Sequence, residues 1–492
     1  MIPRVRVICA IVLVAPCAFA QGNFRATPTG GRSALMGGTG VALGTDGSAP
    51  FLNPATLVRI DSLLAVSVNI LAIEFTSVNQ YQTPGGASQA PFGLSLQNTS
   101  ITKASANVVP STLCVFLNGP KIGSSETNQG KQKLGICFGT TENDHFDYIG
   151  RGYAGGMGRM TTEVQSISRS FGRFALAPTY AVYLSDAVAF GASLHAVFSN
   201  ANAIVQQTTT TFGAGGNTVS TSYGSGLDGN AFGLSPIFGF TFRGGKWTLG
   251  TSFQTADLTV YGSSHASETV QYSGAGDYAS TYAGEGGFRS EAPWRASVGL
   301  GREFKWGTGE IDFGVGIPHE PPFEASSSGT QTVAMGPVVT QAITKFALVE
   351  RPSAMMHAGV GAEVFVSPSI SLLGGVSGSL TFNDTPGGVL PTRQTRIATS
   401  FGLGSHGEGG DLLIGLELSY ERGQTRVVNG YALPPEPTNV GMEGGRILFV
   451  LAGSTSLNSI RRAVTDVVLD PGKREQERLK ELREKEKREK EK

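Results

Sequence analysis

The feature that most constrains this chain is a two-residue alternation sustained over segments longer than soluble strands. In Phe232, Leu234, Pro236, Phe238, Phe240 and Phe242 every second residue is apolar, and Gly233, Ser235, Gly239 and Thr241 between them are small or polar. Val188, Phe190, Ala192, Leu194, Ala196 and Phe198 repeat the pattern, as do Trp294, Ala296, Val298 and Leu300, and then Leu412, Ile414, Leu416, Leu418 and Tyr420. A β-strand turns successive side chains to opposite faces, so each segment carries one apolar and one polar face. Strands of a soluble sandwich run about 5–6 residues, whereas a strand that crosses a bilayer needs about 9–11. Backbone groups in hydrocarbon must all pair internally, so a sheet of such strands has to close. The expected fold is all-β: a transmembrane antiparallel β-barrel with its apolar face to lipid and a face rich in Gly, Ser and Thr to a hydrated or plugged lumen.

Segments near 62–76, 111–118, 132–140, 164–184, 186–204, 228–243, 246–260, 292–304, 308–318, 355–367, 369–382, 393–405, 410–423 and 445–454 carry the pattern, which predicts about 14 strands. The first changes phase near Leu71, the fourth needs a bulge near Phe171, and 265–284 reads as a strand or a loop. Connections at Ser185-Asp186, Gly244-Gly245 and Pro368 are tight, while those over 79–110, 141–162, 205–227, 319–353 and 424–444 are long. Short turns at one end and long loops at the other are usual in outer-membrane barrels. Composition agrees, because charged residues make up 15% of the chain, against about 25% in a soluble domain. With 38 basic and 38 acidic residues there is no net field, and nucleic acid is not expected as a partner.

Residues 1–20 read as a secretory signal peptide, with Arg4 and Arg6 before the apolar run Val7 to Ala15 and the cleavage site Ala18-Phe19-Ala20. Pro16 stands where a lipobox before Cys17 carries Gly or Ala, which argues against lipidation. The remaining chain divides into 21–60, the barrel over 61–455, and a charged tail over 456–492.

Residues 30–60 do not alternate: Gly37-Gly38-Thr39-Gly40 precedes a short apolar stretch and then Asn53-Pro54-Ala55. No hydrophobic strand leads into the glycines and no phosphate-loop spacing is met, so the segment reads as compact and turn-rich rather than as a nucleotide site. The stretch Gly31-Arg32-Ser33-Ala34-Leu35-Met36-Gly37-Gly38-Thr39-Gly40-Val41-Ala42, with Asp46, Ser48-Ala49 and Asn53-Pro54-Ala55, resembles the N-terminal hatch of the FadL/TodX-type outer-membrane transport proteins, which carry long-chain fatty acids and aromatic hydrocarbons. Ala177-Pro178-Thr179-Tyr180-Ala181 before Ser185-Asp186 and the closing strand pairs resemble that family's barrel more loosely, so the likeness covers about residues 22–455. The resemblance implies a 14-stranded barrel in the outer membrane of a Gram-negative-type bacterium. It also implies a plug over 21–60, with Gly37, Gly38, Gly40, Asn53, Pro54 and Ala55 as its motif, and passive diffusion of a hydrophobic small-molecule ligand. Outer-membrane lipid is then the other partner.

The six histidines, His145, His195, His265, His319, His357 and His406, are scattered, and neither HExxH nor GxSxG occurs. No catalytic residue, metal site or cofactor is expected. His195, Arg295, His357, Glu363 and Glu417 fall on the lumen-facing phase, where charged groups ordinarily line a hydrated wall. Removal of the signal takes Cys9 and Cys17, leaving Cys114 and Cys137. These lie out of phase with Leu113, Val115 and Leu117 and with Leu134, Ile136 and Phe138, on consecutive segments, so they are a candidate disulfide facing the lumen. From Lys473 to Lys492 only Gln476, Leu479 and Leu482 are uncharged. Pairs such as Lys480/Glu484 and Glu486/Lys490 predict a solvated single helix, and this tail is the candidate contact for a periplasmic partner. A non-transporting barrel of the same fold that scaffolds a secretion or envelope complex is the second functional reading.

Overall fold

The computed structural model describes residues 29–457 apart from 62, 79–94, 98–100, 106–108, 120–130, 157–158, 214, 275–276, 318–322, 351–353, 383–391, 408 and 430–435. The expected signal peptide, the start of the expected plug and the charged tail from 458 onward lie outside the described residues.

A 14-stranded closed antiparallel barrel forms the body. In chain order its strands are β1 Leu63–Val78, β2 Val109–Asn118, β3 Gln132–Gly156, β4 Arg159–Tyr183, β5 Val188–Phe212, β6 Thr218–Gly244, β7 Trp247–Gln254, β8 Trp294–Phe304, β9 Gly307–Ile317, β10 Ala354–Ser367, β11 Ile370–Phe382, β12 Thr392–Gly407, β13 Gly410–Asn429 and β14 Glu436–Ser456. Each pairs with the next. β1 then pairs with β14 from Leu63↔Ser456 to Val78↔Met442, which leaves the ring without an edge.

The alternation in the sequence becomes the two faces of this wall. Phe238, Phe240, Phe242, Leu194 and Phe198 are exposed on the outside, while Ile237, Thr241, Ser193 and His195 between them are buried inside. Large apolar side chains left in the open are unusual for a soluble surface and ordinary for one that meets lipid.

The wall rises higher than the sequence predicted. β3, β4 and β5 have 25 residues each and β6 has 27. At about 3.3 Å per residue that is roughly 80 Å of strand, against an apolar band of about 25 Å. The long loops expected over 141–162, 205–227, 319–353 and 424–444 are for the most part further strand, and 265–284 is mainly strand as well. The segment expected as one strand over 246–260 divides, because β7 pairs with β8 while Leu258–Ser273 instead follows the first half of β6, from Leu258↔Leu234 to Ser273↔Ser220. Tyr278–Gly286, Phe288–Ser290, Phe323–Met335 and Val338–Glu350 continue that upper sheet. Its core is Phe171, Leu227, Tyr282 and Phe288 with small residues between. Outside the bilayer both faces of a strand are hydrated, so the apolar alternation fades while β-branched runs such as Thr208 to Thr211 still favour extension.

The phase change at Leu71 is a register shift between Asn69 and Leu71. The irregularity expected at Phe171 lies instead across the ladder, between Thr140 and Glu142 on β3, and β4 keeps its phase.

Candidate functional site: a lumen segment and its anchors

Residues 29–60 fold as two short helices, Gly31–Leu35 and Ala49–Leu52, and a 3-10 turn, Pro54–Arg59. Helices this short do not form alone, so the surrounding wall supplies their stability. The segment meets β14 where Gly31 lies on Ala452, β11 where Gly37 lies on Val376, β7 where Val41 lies on Gly250, β5 where Pro54 lies on Gly191, and β3 where Leu57 lies by Gly135. Contacts on every side place it inside the ring. The wall residues involved stand near the tight turns, so it fills that half of the lumen.

Two carboxylates on the inner face of β9 hold its centre. Asp312 Oδ2 accepts from the backbone N–H groups of Gly40 and Val41 at 2.9 and 3.0 Å, and Glu310 Oε1 from those of Ala42 and Leu43 at 2.5 and 3.2 Å. Both side chains are 2% exposed. Successive amides turned to one side form a nest for anions, which the left-handed backbone of Gly37 and Gly38, at φ 66° and 74°, helps to shape. The Arg32 guanidinium holds the first helix by bonding Glu363 Oε2 at 2.8 Å, Thr308 Oγ1 at 2.7 Å and Leu43 O at 3.2 Å. Arg59 pairs with Glu303, which also meets Arg243 at 3.1 Å.

Asn53 Nδ2 donates to Val41 O at 2.7 Å and to Phe240 O of the wall at 3.1 Å, while its Oδ1 caps the turn at Ala55 N at 3.1 Å. Pro54 and Ala55 press on Gly191, where a side chain would overlap them. The structure thus places Gly37, Gly38, Gly40, Asn53, Pro54 and Ala55 in contact with the wall or shaping the chain that meets it.

The lumen-phase residues do not assemble into one site. His195 Nε2 lies 3.1 Å from Pro50 O and its ring meets Phe51 edge-on, so it braces the segment. Arg295 lies with His195, Arg173, Glu142 and Asp257 around a polar cavity of about 60 Å³, in which Arg173 pairs with Asp257. His357 bonds Ser379 at 3.1 Å. Glu417 stands higher and pairs with Arg396 and Arg446. A second cavity of about 210 Å³ opens beside the segment at the tight-turn end, lined by Arg32, Asp46, Glu363, His406 and Asp411 among others.

One cluster has the spacing of a nucleophile triad. Ser371 Oγ lies 2.8 Å from His406 Nε2, and His406 Nδ1 lies 3.0 Å from Asp411 Oδ1. Ser371 is 0% exposed, however, and its Oγ donates to Glu363 Oε1 at 2.8 Å. An ionised carboxylate only accepts, so the serine proton is committed to the partner of Arg32 rather than to the histidine. The cluster therefore supports the Arg32 anchor. Sequence reading missed Arg32, Glu310 and Asp312 as anchors, although the phase argument that selected Glu363 also turns Glu310 and Asp312 inward.

Cys114 and Cys137 face each other in the register of β2 and β3, are wholly buried on the inner face, and are joined by a disulfide. Cys114 Sγ also lies 3.5 Å from Gly47 O, so the bridge stiffens the wall where the lumen segment rests. Denatured, unreduced protein lacking residues 1–20 is expected to show no free thiol, and two reactive thiols per chain would exclude the bond. Replacing both cysteines by serine is expected to cost about 3 kcal/mol for a loop of this length.

Fold and site define the class: a closed transmembrane barrel whose lumen is occupied by its own N-terminal segment. The barrel fold is similar to that of the FadL/TodX-type channels. The CymD monoaromatic hydrocarbon channel aligns at 14% identity over 87% of this chain and 97% of its own, with a TM-score of 0.51. A FadL homologue of Pseudomonas aeruginosa aligns at 13% identity over 88% and 100%, with a TM-score of 0.53. The Pseudomonas putida toluene transporter TodX aligns at 13% identity over 87% and 98%, with a TM-score of 0.52. No protein-family model and no curated protein sequence matches the chain.

Proposed function

We propose that this protein is an outer-membrane channel for passive passage of hydrophobic small molecules, either long-chain fatty acids or aromatic hydrocarbons, in a Gram-negative-type bacterium. The observation that carries the reading is a complete barrel whose tight-turn half is filled by a segment tied to the wall at a few polar anchors. A wall built only as a scaffold has no use for such a closure. The tight turns then face the periplasm and the tall sheet faces outward. A ligand enters from the tall side, meets the lumen segment, which acts as a plug, and moves on when some of the anchors yield. β14 ends at the tight-turn end, which on this reading faces the periplasm, and the charged sequence that follows it is the proposed contact for a periplasmic partner.

Vesicles carrying the purified full-length barrel test the proposal, with entry read by an entrapped fatty-acid-sensitive dye for oleate and by radiolabel retained on rapid filtration for toluene. Oleate and toluene are presented separately, each against vesicles without protein. Faster entry of either without added energy is the expected result. Entry no faster than in empty vesicles for both would exclude transport of these classes and favour a scaffold.

A further inference from the structure

One five-residue pattern occurs twice at the tight-turn end: Arg243-Gly244-Gly245-Lys246-Trp247 and Arg302-Glu303-Phe304-Lys305-Trp306. Pairing of β7 with β8 sets the copies side by side, with Trp247 opposite Arg302. On β8, Val298 and Leu300 are exposed to the outside while Gly299 and Gly301 turn inward, so Arg302 and Phe304 share the lipid-facing phase. Trp247 shares the outer face of β7 with Leu249.

The Arg302 guanidinium carbon lies 4.7 Å from the centre of the Trp247 ring and 5.0 Å from that of Phe304, and Trp306 stacks on Phe304 at 4.8 Å. Arg243, by contrast, belongs to the inner rim and is paired with Glu303. Among the described residues no carboxylate pairs with Arg302, Lys246 or Lys305, and Arg302 Nε is buried without an acceptor. The tight turns Leu184 to Ala187, Ser367 to Ile370 and Gly407 to Gly410 carry no basic residue, and the connection 119–131 at the same end carries Lys121 and Lys131 but no tryptophan, so these two hairpins alone join basic residues to tryptophan at this end.

A guanidinium flattened on aromatic rings keeps its N–H edge free for a planar, two-point acceptor. At the depth of a tryptophan belt the anion within reach is a lipid phosphate. We propose that the two hairpins bind the headgroup phosphate of an anionic phospholipid in the leaflet on the tight-turn side. Arg302 makes the direct contact, Lys246 and Lys305 flank it, and Trp247 and Trp306 mark the boundary between headgroup and acyl chain.

Native mass spectrometry of the full-length barrel in detergent tests this, with phosphatidylglycerol and phosphatidylcholine of the same chains added separately. Phosphatidylglycerol adducts are expected to exceed phosphatidylcholine adducts by roughly tenfold, and Lys246→Gln/Arg302→Gln/Lys305→Gln to reduce the ratio to about twofold or less. Arg422→Gln, an equal kind of charge loss at the other end, should leave the ratio unchanged. Folding is read from heat-modifiable migration, and if the triple variant fails that check Arg302→Gln alone is read in its place. Equal adducts in the parent protein, an unchanged ratio in the folded variant, or an equal fall in Arg422→Gln would each overturn the site. Displacement of the lipid by inorganic phosphate at matched concentration would overturn the assignment to lipid.

Discussion

Replacing Glu310 and Asp312 together by alanine is expected to make the barrel leak. The two carboxylates satisfy four consecutive amides, from Gly40 to Leu43, in a buried setting where those amides have no other acceptor among the described residues. Hydrogen bonds to a charged acceptor contribute about 1.5–3 kcal/mol each, and a stranded buried donor costs about 1–3 kcal/mol. Water entering the vacated space recovers part of the loss, so about 3 kcal/mol is a moderate figure for the pair, and it multiplies the unseated population by roughly 100. Glu310→Gln/Asp312→Asn keeps the acceptor oxygens and loses the charge, so it should fall between. Arabinose influx in a liposome-swelling assay orders the three proteins. If the alanine pair swells no faster than the parent, the lumen segment is not held by β9.

The barrel was legible because lipid imposes a rule on every membrane-crossing residue. Phe238 cannot exchange faces with Gly239 without turning a bulky ring into the lumen segment and a bare backbone to hydrocarbon, so period 2 is written without interruption. Above the bilayer that rule lapses. Strand Tyr278–Gly286, in a stretch whose sequence leaves strand and loop open, pairs with Phe323–Met335, whose sequence reads as polar loop, through residues such as Thr281 and Thr332. Long-range pairing outside the membrane leaves little local trace, and this is why most of the upper sheet reads as connections in the sequence.

The site was legible only in part, and for a different reason. Asn53-Pro54-Ala55 and the glycines of 37–40 advertise unusual backbone, which local sequence shows. What their backbone touches depends on closing the ring, which brings Glu310 within bonding distance of Ala42 and Glu363 within bonding distance of Arg32. The lumen phase narrowed the candidates to half of each strand but could not tell a brace such as His195 from Glu417, which stands above the segment. Cys114 and Cys137 were easier, because consecutive strands leave few registers.

Gly361 and Gly375 should be among the least replaceable residues of the wall. They sit opposite each other in the register of β10 and β11, and together they form a flat notch. The backbone of Met36 and Gly37 lies in it so closely that a Cβ on either glycine would overlap main-chain atoms, which have no rotamer to yield. Gly374 and Gly378 on β11 have the opposite phase, and a Cβ there meets a single carbonyl oxygen at 3.8 or 3.9 Å. Overpacking costs about 1–3 kcal/mol where side chains can move and more where only backbone can. Gly361→Val/Gly375→Val is therefore expected to form the barrel, since valine suits a strand, but to exclude the lumen segment from its seat. Cleavage by trypsin after Arg32 and Arg59 reads this directly, because both arginines are held against the wall in the parent protein. The double variant should be cut faster by roughly 100-fold for a loss of about 3 kcal/mol, while Gly374→Val/Gly378→Val should resist like the parent. Equal resistance in both variants, with heat-modifiable migration intact, would mean that the notch does not seat the segment.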